Sequence, residues 1–468
     1  MINKKFKIYL YLCIAIFFIL LVVVLFYSFG YRYDIKERET IQTGAIVIKS
    51  TPEDADIYLD DNLFENNNTL NNLLTGYIKI ENLNSGEYNI KIKKDGHFNW
   101  EKNITVNGGY ITELKNIVLL KNAYKKNILL DNLITDLDKK TIWVSNGKNK
   151  IIYKDENNLN LFDINSKSKD DEIKIIANFD NAINEIIWSN DDLKIIAKIS
   201  ENNEFSWYLI DLENKNKISE ISFIFNEISE VKNKYNFDFN KSLFYLKNNT
   251  LYEFDYKKLV SKRVLQNMSS FLVHGDYLYY FKKDDSILYV SDLDNLSKAK
   301  TVSTMPDDFD TQSPARIIKS SDNAFLILSS SGELYLISKT NQITFINSRV
   351  ENAYFTNYNE RIVYHNKHEI WIYYIKEKIS QPSKKEFENE LITRHSNNIG
   401  NISLYIDEEH LFYNENGIFK FIEFDSRGKV NVFDILELEN NDVFYFRDNN
   451  SIYYVEDGEL IWIELEEE

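Results

Sequence analysis

The chain is poor in cysteine, proline and glycine: 468 residues contain one Cys, 4 Pro and 14 Gly. A single thiol, Cys13, leaves no disulfide framework and no Cys-rich zinc site. Also missing are the G-x-S-x-G elbow, the Walker loop and the G-x-G-x-x-G fingerprint, so serine hydrolases, phosphate-loop enzymes and dinucleotide enzymes lack their usual marks. Positive charge is in deficit, with 55 Lys and Arg against 72 Asp and Glu and a net charge of -17. That balance argues against nucleic acid, which needs clustered bases on a surface of opposite sign. No cofactor is implied, and no enzymatic activity is expected.

What the chain does have is one long apolar run. Ile8 to Phe29 carries no charge, Gly or Pro, with Lys4, Lys5 and Lys7 before it and Arg32, Asp34 and Lys36 after it. Its roughly 22 residues would span about 33 Å as a helix, enough to cross the hydrocarbon core of a bilayer. The lipid bilayer is therefore the expected partner of residues 8–29. The run exceeds a secretory h-region, although Ser28-Phe29-Gly30 is a passable cleavage site, so an uncleaved anchor and a cleaved signal both stay open, with length favouring the anchor. Tyr27, Tyr31 and Tyr33 suit an interfacial belt. The basic flanks tie and leave orientation undecided; a cysteine-free body suits an oxidising exterior. Leu10-Tyr11-Leu12-Cys13 lacks the small residues of a lipobox, and Cys13 reads as a small apolar residue in lipid.

From Gly44 the texture alternates: Ile46 and Ile48 against Val47 and Lys49, and later Tyr88, Ile90 and Ile92 against Asn89, Lys91 and Lys93. This is the period of half-buried strands. Turns are expected at Ser50 to Ala55, where Asp54 tolerates positive φ, at Asp60-Asp61-Asn62, at Leu83 to Gly86 and at Asp95-Gly96. Pro52-Glu53-Asp54-Ala55, with Gly44, Ser50, Asp60, Leu83, Gly86, Tyr88, Gly96 and Trp100 around it, resembles the PEGA domain of bacterial and archaeal surface proteins. Asp54 replaces that family's Gly, and Tyr77 stands where it has Pro. The resemblance implies a small β-sandwich for envelope attachment or for contact with protein or glycan, with no known chemistry. Trp100 and Tyr88 are expected to pack in its core rather than stack on sugar.

Beyond Ala123 one unit repeats: an apolar, aromatic-rich strand, a polar turn, then a second such strand, often closed by Asp. The turns fall at Lys154 to Asn157, Ser200 to Glu204, Lys247 to Thr250, Lys282 to Ser286, Ser329 to Gly332, His365 to His368, Asn414 to Gly417 and Arg447 to Asn450. Their spacing of about 42 residues is the length of a propeller blade. Trp188-Ser189-Asn190-Asp191-Asp192-Leu193-Lys194 resembles the blade motif Trp-Ser-x-Asp-Gly-x-Lys of TolB and WD40-like propellers, with Asp192 in place of Gly. The expected fold is all-β: a cytoplasmic tail and transmembrane anchor at 1–30, a juxtamembrane linker at 31–43, a PEGA-like β-sandwich at 44–121 and a propeller at 122–468 with about eight blades, or seven. The strand Leu460 to Leu465 is expected to close the ring by pairing near Ile128 to Leu133, because an open propeller would expose sheet edges. Trp188 and Trp100 should be core residues of separate units.

Candidate chemistry is sparse. His365 and His368 flank a turn but lack a third ligand beyond Glu369, and read as a solvated turn. Asp307-Asp308-Phe309-Asp310 and Asp60-Asp61-Asn62 miss the calcium-loop spacing. Arg394 to Asn398 reads as a structural turn at the start of a strand, Glu464 to Glu468 as a solvated end. Sequons such as Asn103-Ile104-Thr105 and Asn401-Ile402-Ser403 arise by chance in so Asn-rich a chain. The reading is a non-catalytic, single-pass envelope protein with its C-terminal domains outside, binding an envelope protein or polysaccharide. The alternative is an envelope hydrolase or lyase with acids converging in the propeller channel.

Overall fold

A computed structural model describes residues 4–34, 38–64, 76–130, 142–147, 149–155, 157–164, 173–189, 191–201, 204–213, 217–225, 237–239, 242–255, 258–438 and 443–465. The apolar run forms helix α1 (Lys4–Ser28). Its residues 9–28 are exposed on every side. A helix apolar all round, touched among the described residues only near its end by Tyr31 and Arg32, fits a membrane span or a signal sequence better than a protein core. The stretch expected as a linker contains a hairpin instead, β1 (Tyr31–Asp34) on β2 (Glu39–Gln42).

Two small sheets follow. The first has the order β6 (Ile78–Leu83), β3 (Gly44–Thr51), β9 (Ile111–Val118), with β9 parallel to β3. The second has the order β5 (Asn62–Leu63), β4 (Asp56–Leu59), β7 (Gly86–Lys93), β8 (Trp100–Val106). Ile46, Ile48, Ile90, Ile92, Trp100 and Ile104 bury the facing sides, as the alternation requires. Asp54 does not adopt positive φ; Asp60 and Asp61 do, at 49° and 64°. Both expected turns are present, and the left-handed residues are those of the second.

The rest of the described chain forms eight four-stranded antiparallel sheets, here blades 1 to 8: residues 142–178, 183–220, 237–265, 268–304, 316–347, 352–394, 399–437, and 443–464 together with β10 (Asn127–Leu130). First strands of successive blades touch, as Met268–His274 does with Arg316–Lys319, so they line the axis. Fourth strands such as Lys217–Glu220 and Val260–Leu265 are mostly exposed and form the rim. The hairpins expected from sequence join second to third strands, except Arg447 to Asn450, which joins the first to the second strand of blade 8. Outside that exception, the second strand of each such hairpin, as in Thr250–Asp255, is the third of its blade.

The ring closes as expected. Asn127, Ile128 and Leu130 of β10 pair with Trp462, Ile461 and Leu460, so the segment just after the first unit supplies the outer strand of the last blade. Residues 131–133 of the expected partner lie outside the described set.

A second device links blades. The turns between first and second strands share one shape, with Ser145, Ser189, Ser320, Thr356 and Tyr405 starting them and Asp192, Asn323, Asn359 and Glu408 at positive φ. Asp192, Asn359 and Glu408 reach to the preceding turn. Asp192 accepts from the backbone N–H groups of Asn146 (3.0 Å) and Gly147 (2.7 Å), and Glu408 accepts from Asn357 N–H at 2.9 Å. Asn359 donates to Ser321 Oγ at 2.5 Å. The departure from Gly at Asp192 therefore makes a blade-to-blade clasp, and a Cβ on Gly147 would lie 2.8 Å from Asp192 Oδ2.

Candidate functional site

The densest polar cluster lies where the first unit meets blade 7. Strand β8 buries every second residue, Trp100, Lys102, Ile104 and Val106, so a lysine occupies a core-facing position. Lys102 is 0% exposed and its Nζ lies 3.0 Å from Glu423 Oε1, itself 4% exposed, and 3.5 Å from Asp425 Oδ1. It also donates to the Asp425 carbonyl. Trp100 Nε1 donates to the other Glu423 oxygen at 2.9 Å, and Asn431 donates to Oε1 through its backbone (2.6 Å) and amide (2.7 Å). A buried ion pair needs such added bonds to offset desolvation.

A guanidinium anchors the same edge. Arg427 Nη2 donates to the Glu113 carbonyl at 2.7 Å and pairs with Asp425 at 2.6 Å, while Gln381 bridges Ile111 and Glu113 of β9. Burial alone would raise the Asp425 carboxyl, but the Arg427 hydrogen bond and the charges of Lys102 and Arg427 hold it below the ordinary carboxylate value. Gly428 has φ of 63°, and a Cβ there would meet the Asn103 carbonyl at 2.8 Å, which fixes how closely the propeller loop approaches β8. Apolar contact continues the seam: Phe98 stacks on Phe433 at 5.3 Å, and Val118 and Leu120 pack with Phe419, Tyr445 and Ile461. Trp100 thus sits in the core of the first unit and is bonded to the second.

Two open clefts flank the seam. One of about 770 Å³ is lined by Glu87, Asn89, Asn99, Glu101, Lys429 and Phe433; another of about 490 Å³ by Asn103, Thr105, Tyr110, Thr112, Gln381 and Arg427. Amide-rich, charge-mixed walls suit hydroxylated or peptide ligands more than apolar ones. Exposed Tyr358, Ile406, Ile379 and Phe387 project from the turns and loop of blades 6 and 7.

The residues singled out from sequence are placed as structural groups. His365 is buried and lowered in basicity by that burial, with Nδ1 3.2 Å from the Asn366 carbonyl, whereas His368 is exposed against the Asn397 carbonyl, so the turn does not pool the two rings. Asp310 caps Gln312 and Ser313, while Asp60 accepts from Asn89 and Asp61 pairs with Lys91. Arg394 ends a strand rather than beginning one and pairs with Glu369; His395 contacts Glu415 at 2.9 Å, Thr393 and Tyr413. Trp188 is buried between blades 1 and 2. Residues 466–468 of the acidic tail lie outside the described set. Lys102 escaped sequence reasoning, although a lysine in register with Trp100, Ile104 and Val106 was the available signal.

A PEGA domain model matches residues 43–119. No curated protein matches the chain in sequence. Among solved structures, the Dos1 propeller is similar with a TM-score of 0.45 at 12% identity, over 74% of this chain and 95% of that one. The propeller domain of Myceliophteria thermophila Cps50 (Swd1) gives 0.37 at 10% over 72% and 99%, and Kluyveromyces lactis Hsv2 gives 0.40 at 8% over 63% and 98%. With its own sheet topology, the chain is an N-terminal apolar helix followed by a PEGA domain at 43–119 and a C-terminal β-propeller.

Proposed function

We propose that this is an uncleaved, single-pass cell-envelope protein, N-terminus in the cytoplasm, whose PEGA domain holds a non-catalytic propeller at a fixed position for a protein or polysaccharide partner. The observation that carries the reading is that the end of α1 is hydrogen-bonded into the body and the body to the propeller. The Gly30 carbonyl, within the passable cleavage site, accepts from Thr43 N (2.8 Å) and Thr43 Oγ1 (2.9 Å), and the buried Lys102–Glu423 pair fixes the next joint. A signal meant for removal gains nothing from being folded into the body. The exposed apolar residues of blades 6 and 7 and the cleft of about 770 Å³ at the seam are the surfaces offered to a partner.

The enzyme alternative needs converging acids in the channel. Among the described residues, the first strands bring Lys319 close to His274, whose basicity is lowered by burial and by the Lys319 charge, and Arg316 donates to Asn352. Two neighbouring bases do not supply the paired carboxylates of a hydrolase. Protease added to intact spheroplasts should degrade the body and spare the first 30 or so residues; full protection until lysis would reverse the orientation. Cross-linking in membranes followed by capture of the full chain should recover one dominant protein or glycan, lost when Tyr358 and Ile406 become serine. Recovery unaffected by those changes would move the binding surface elsewhere.

A further inference from the structure

We propose that the tip of the PEGA domain between Asn107 and Ile111, whose exposed aromatic residue is Tyr110, lies in the headgroup layer of the bilayer that α1 crosses. This rests on the reading of α1 as an uncleaved span. Three observations carry it. The tip is seated on the helix exit: the Gly109 N–H donates to the Thr43 carbonyl at 3.0 Å, Thr43 donates to Gly30, and Gln42 Nε2 donates to the Phe29 carbonyl at 3.0 Å. The fit is tight, since a Cβ on Gly108 or Gly109 would meet Gln42 at 2.4 Å.

The tip is also amphipathic and uncharged. Val106 to Thr112 contains no ionisable carboxylate or amine, while Tyr110 is 71% exposed and Ile111 48%. Phe29 and Tyr33 at the helix exit are exposed likewise. Water gains nothing from such a set, but aromatic rings with one polar end are the residues that partition into the interface. Finally, the tip is near enough. Two ladder spacings of about 4.8 Å separate Gly30 from Gly109 through Thr43. If both add along the membrane normal, the Tyr110 backbone stands about 10 Å above the helix exit, just beyond an interfacial layer roughly 5–8 Å deep. A tilt that lays the ladder from Gly30 to Gly109 toward the membrane plane lowers the tip into the layer. A second contact of this kind would stop the body swivelling about α1.

The test uses the full chain with Cys13→Ala, reconstituted in phosphatidylethanolamine–phosphatidylglycerol vesicles and carrying one nitroxide label at a time through Phe18→Cys, Tyr110→Cys or Tyr277→Cys. Tyr277 is exposed on blade 4 and serves as the aqueous reference. Collision with oxygen relative to a water-soluble nickel chelate should be highest at 18, and several-fold higher at 110 than at 277. A lipid-like label at 18 with matching ratios at 110 and 277 would overturn the docking while leaving the span intact. A water-like label at 18 would overturn the span itself. Shielding of 110 from both colliders would mean that protein covers the tip, a second copy or another chain, and would also overturn the proposal.

Discussion

Lys102 and Glu423 lie 321 positions apart in sequence and 3.0 Å apart in space, both sealed from solvent at the joint between the PEGA domain and blade 7. Neither belongs to the core of one unit alone. Trp100 and Trp188 do sit in separate cores, as expected, but the pair ties the unit that holds Trp100 to the propeller.

Breaking that pair should therefore be felt in both units. Lys102→Met leaves Glu423 buried without its cation, which commonly costs about 3–5 kcal/mol, whereas removing both charges with Lys102→Met and Glu423→Gln should recover most of it. Denaturant melts of the detergent-solubilised chain, followed by far-UV circular dichroism and by tryptophan emission, should shift together in the single variant. A shift confined to one probe would show that the domains melt separately.

The joint should also be acid-sensitive. Asp425 is held below its ordinary value of 3.8, so its contribution is fully present above that value and is lost as pH falls through the lower folded value. Thermal melts should separate wild type from Asp425→Asn at pH 7 and converge as the pH drops below about 3.8. A difference that stays constant down to pH 2 would assign the effect of the substitution to packing.

Restoring the glycine of the blade motif should harm this propeller. Asp192→Gly relieves a left-handed backbone conformation, worth about 1–2 kcal/mol, but removes two charge-assisted bonds to Asn146 and Gly147 at about 1.5–3 kcal/mol each. A net loss of about 2 kcal/mol is expected from equilibrium unfolding. A more stable glycine variant would show that the clasp contributes less than the strain.

Truncation tests closure. Ending the chain before Gly458 deletes Leu460, Ile461, Ile463 and Leu465, all buried, each worth about 1.5–3 kcal/mol, and strands the edge of β10. That total is comparable to the whole stability of a domain, about 5–15 kcal/mol. The truncated chain should lose its cooperative transition altogether; an unchanged transition would mean that the ring holds without its last strand.

The sequence by itself determined what local chemistry determines. An apolar run with no charge over some 22 residues reads as a helix long enough to cross a bilayer, alternation of Ile46 and Ile48 with Lys49 reads as a half-buried strand, and repeated aromatic hairpins announce blades. Even the closure of Leu460 to Leu465 on the segment at Ile128 was legible, because unpaired edges are costly wherever they fall. The fourth strands were not, since they lie on the rim largely exposed, as Val260–Leu265 does with charged side chains on both faces, and so lack the periodicity that marks burial. Tertiary structure alone decided the rest. A lysine in a strand carries no sign of being buried until a glutamate from a distant blade meets it, and Asp192 looks like a worn glycine until the preceding turn presents two N–H groups to its carboxylate. Such contacts are set by where the chain returns, and pairing energy between residues hundreds of positions apart leaves no mark on the composition near either one.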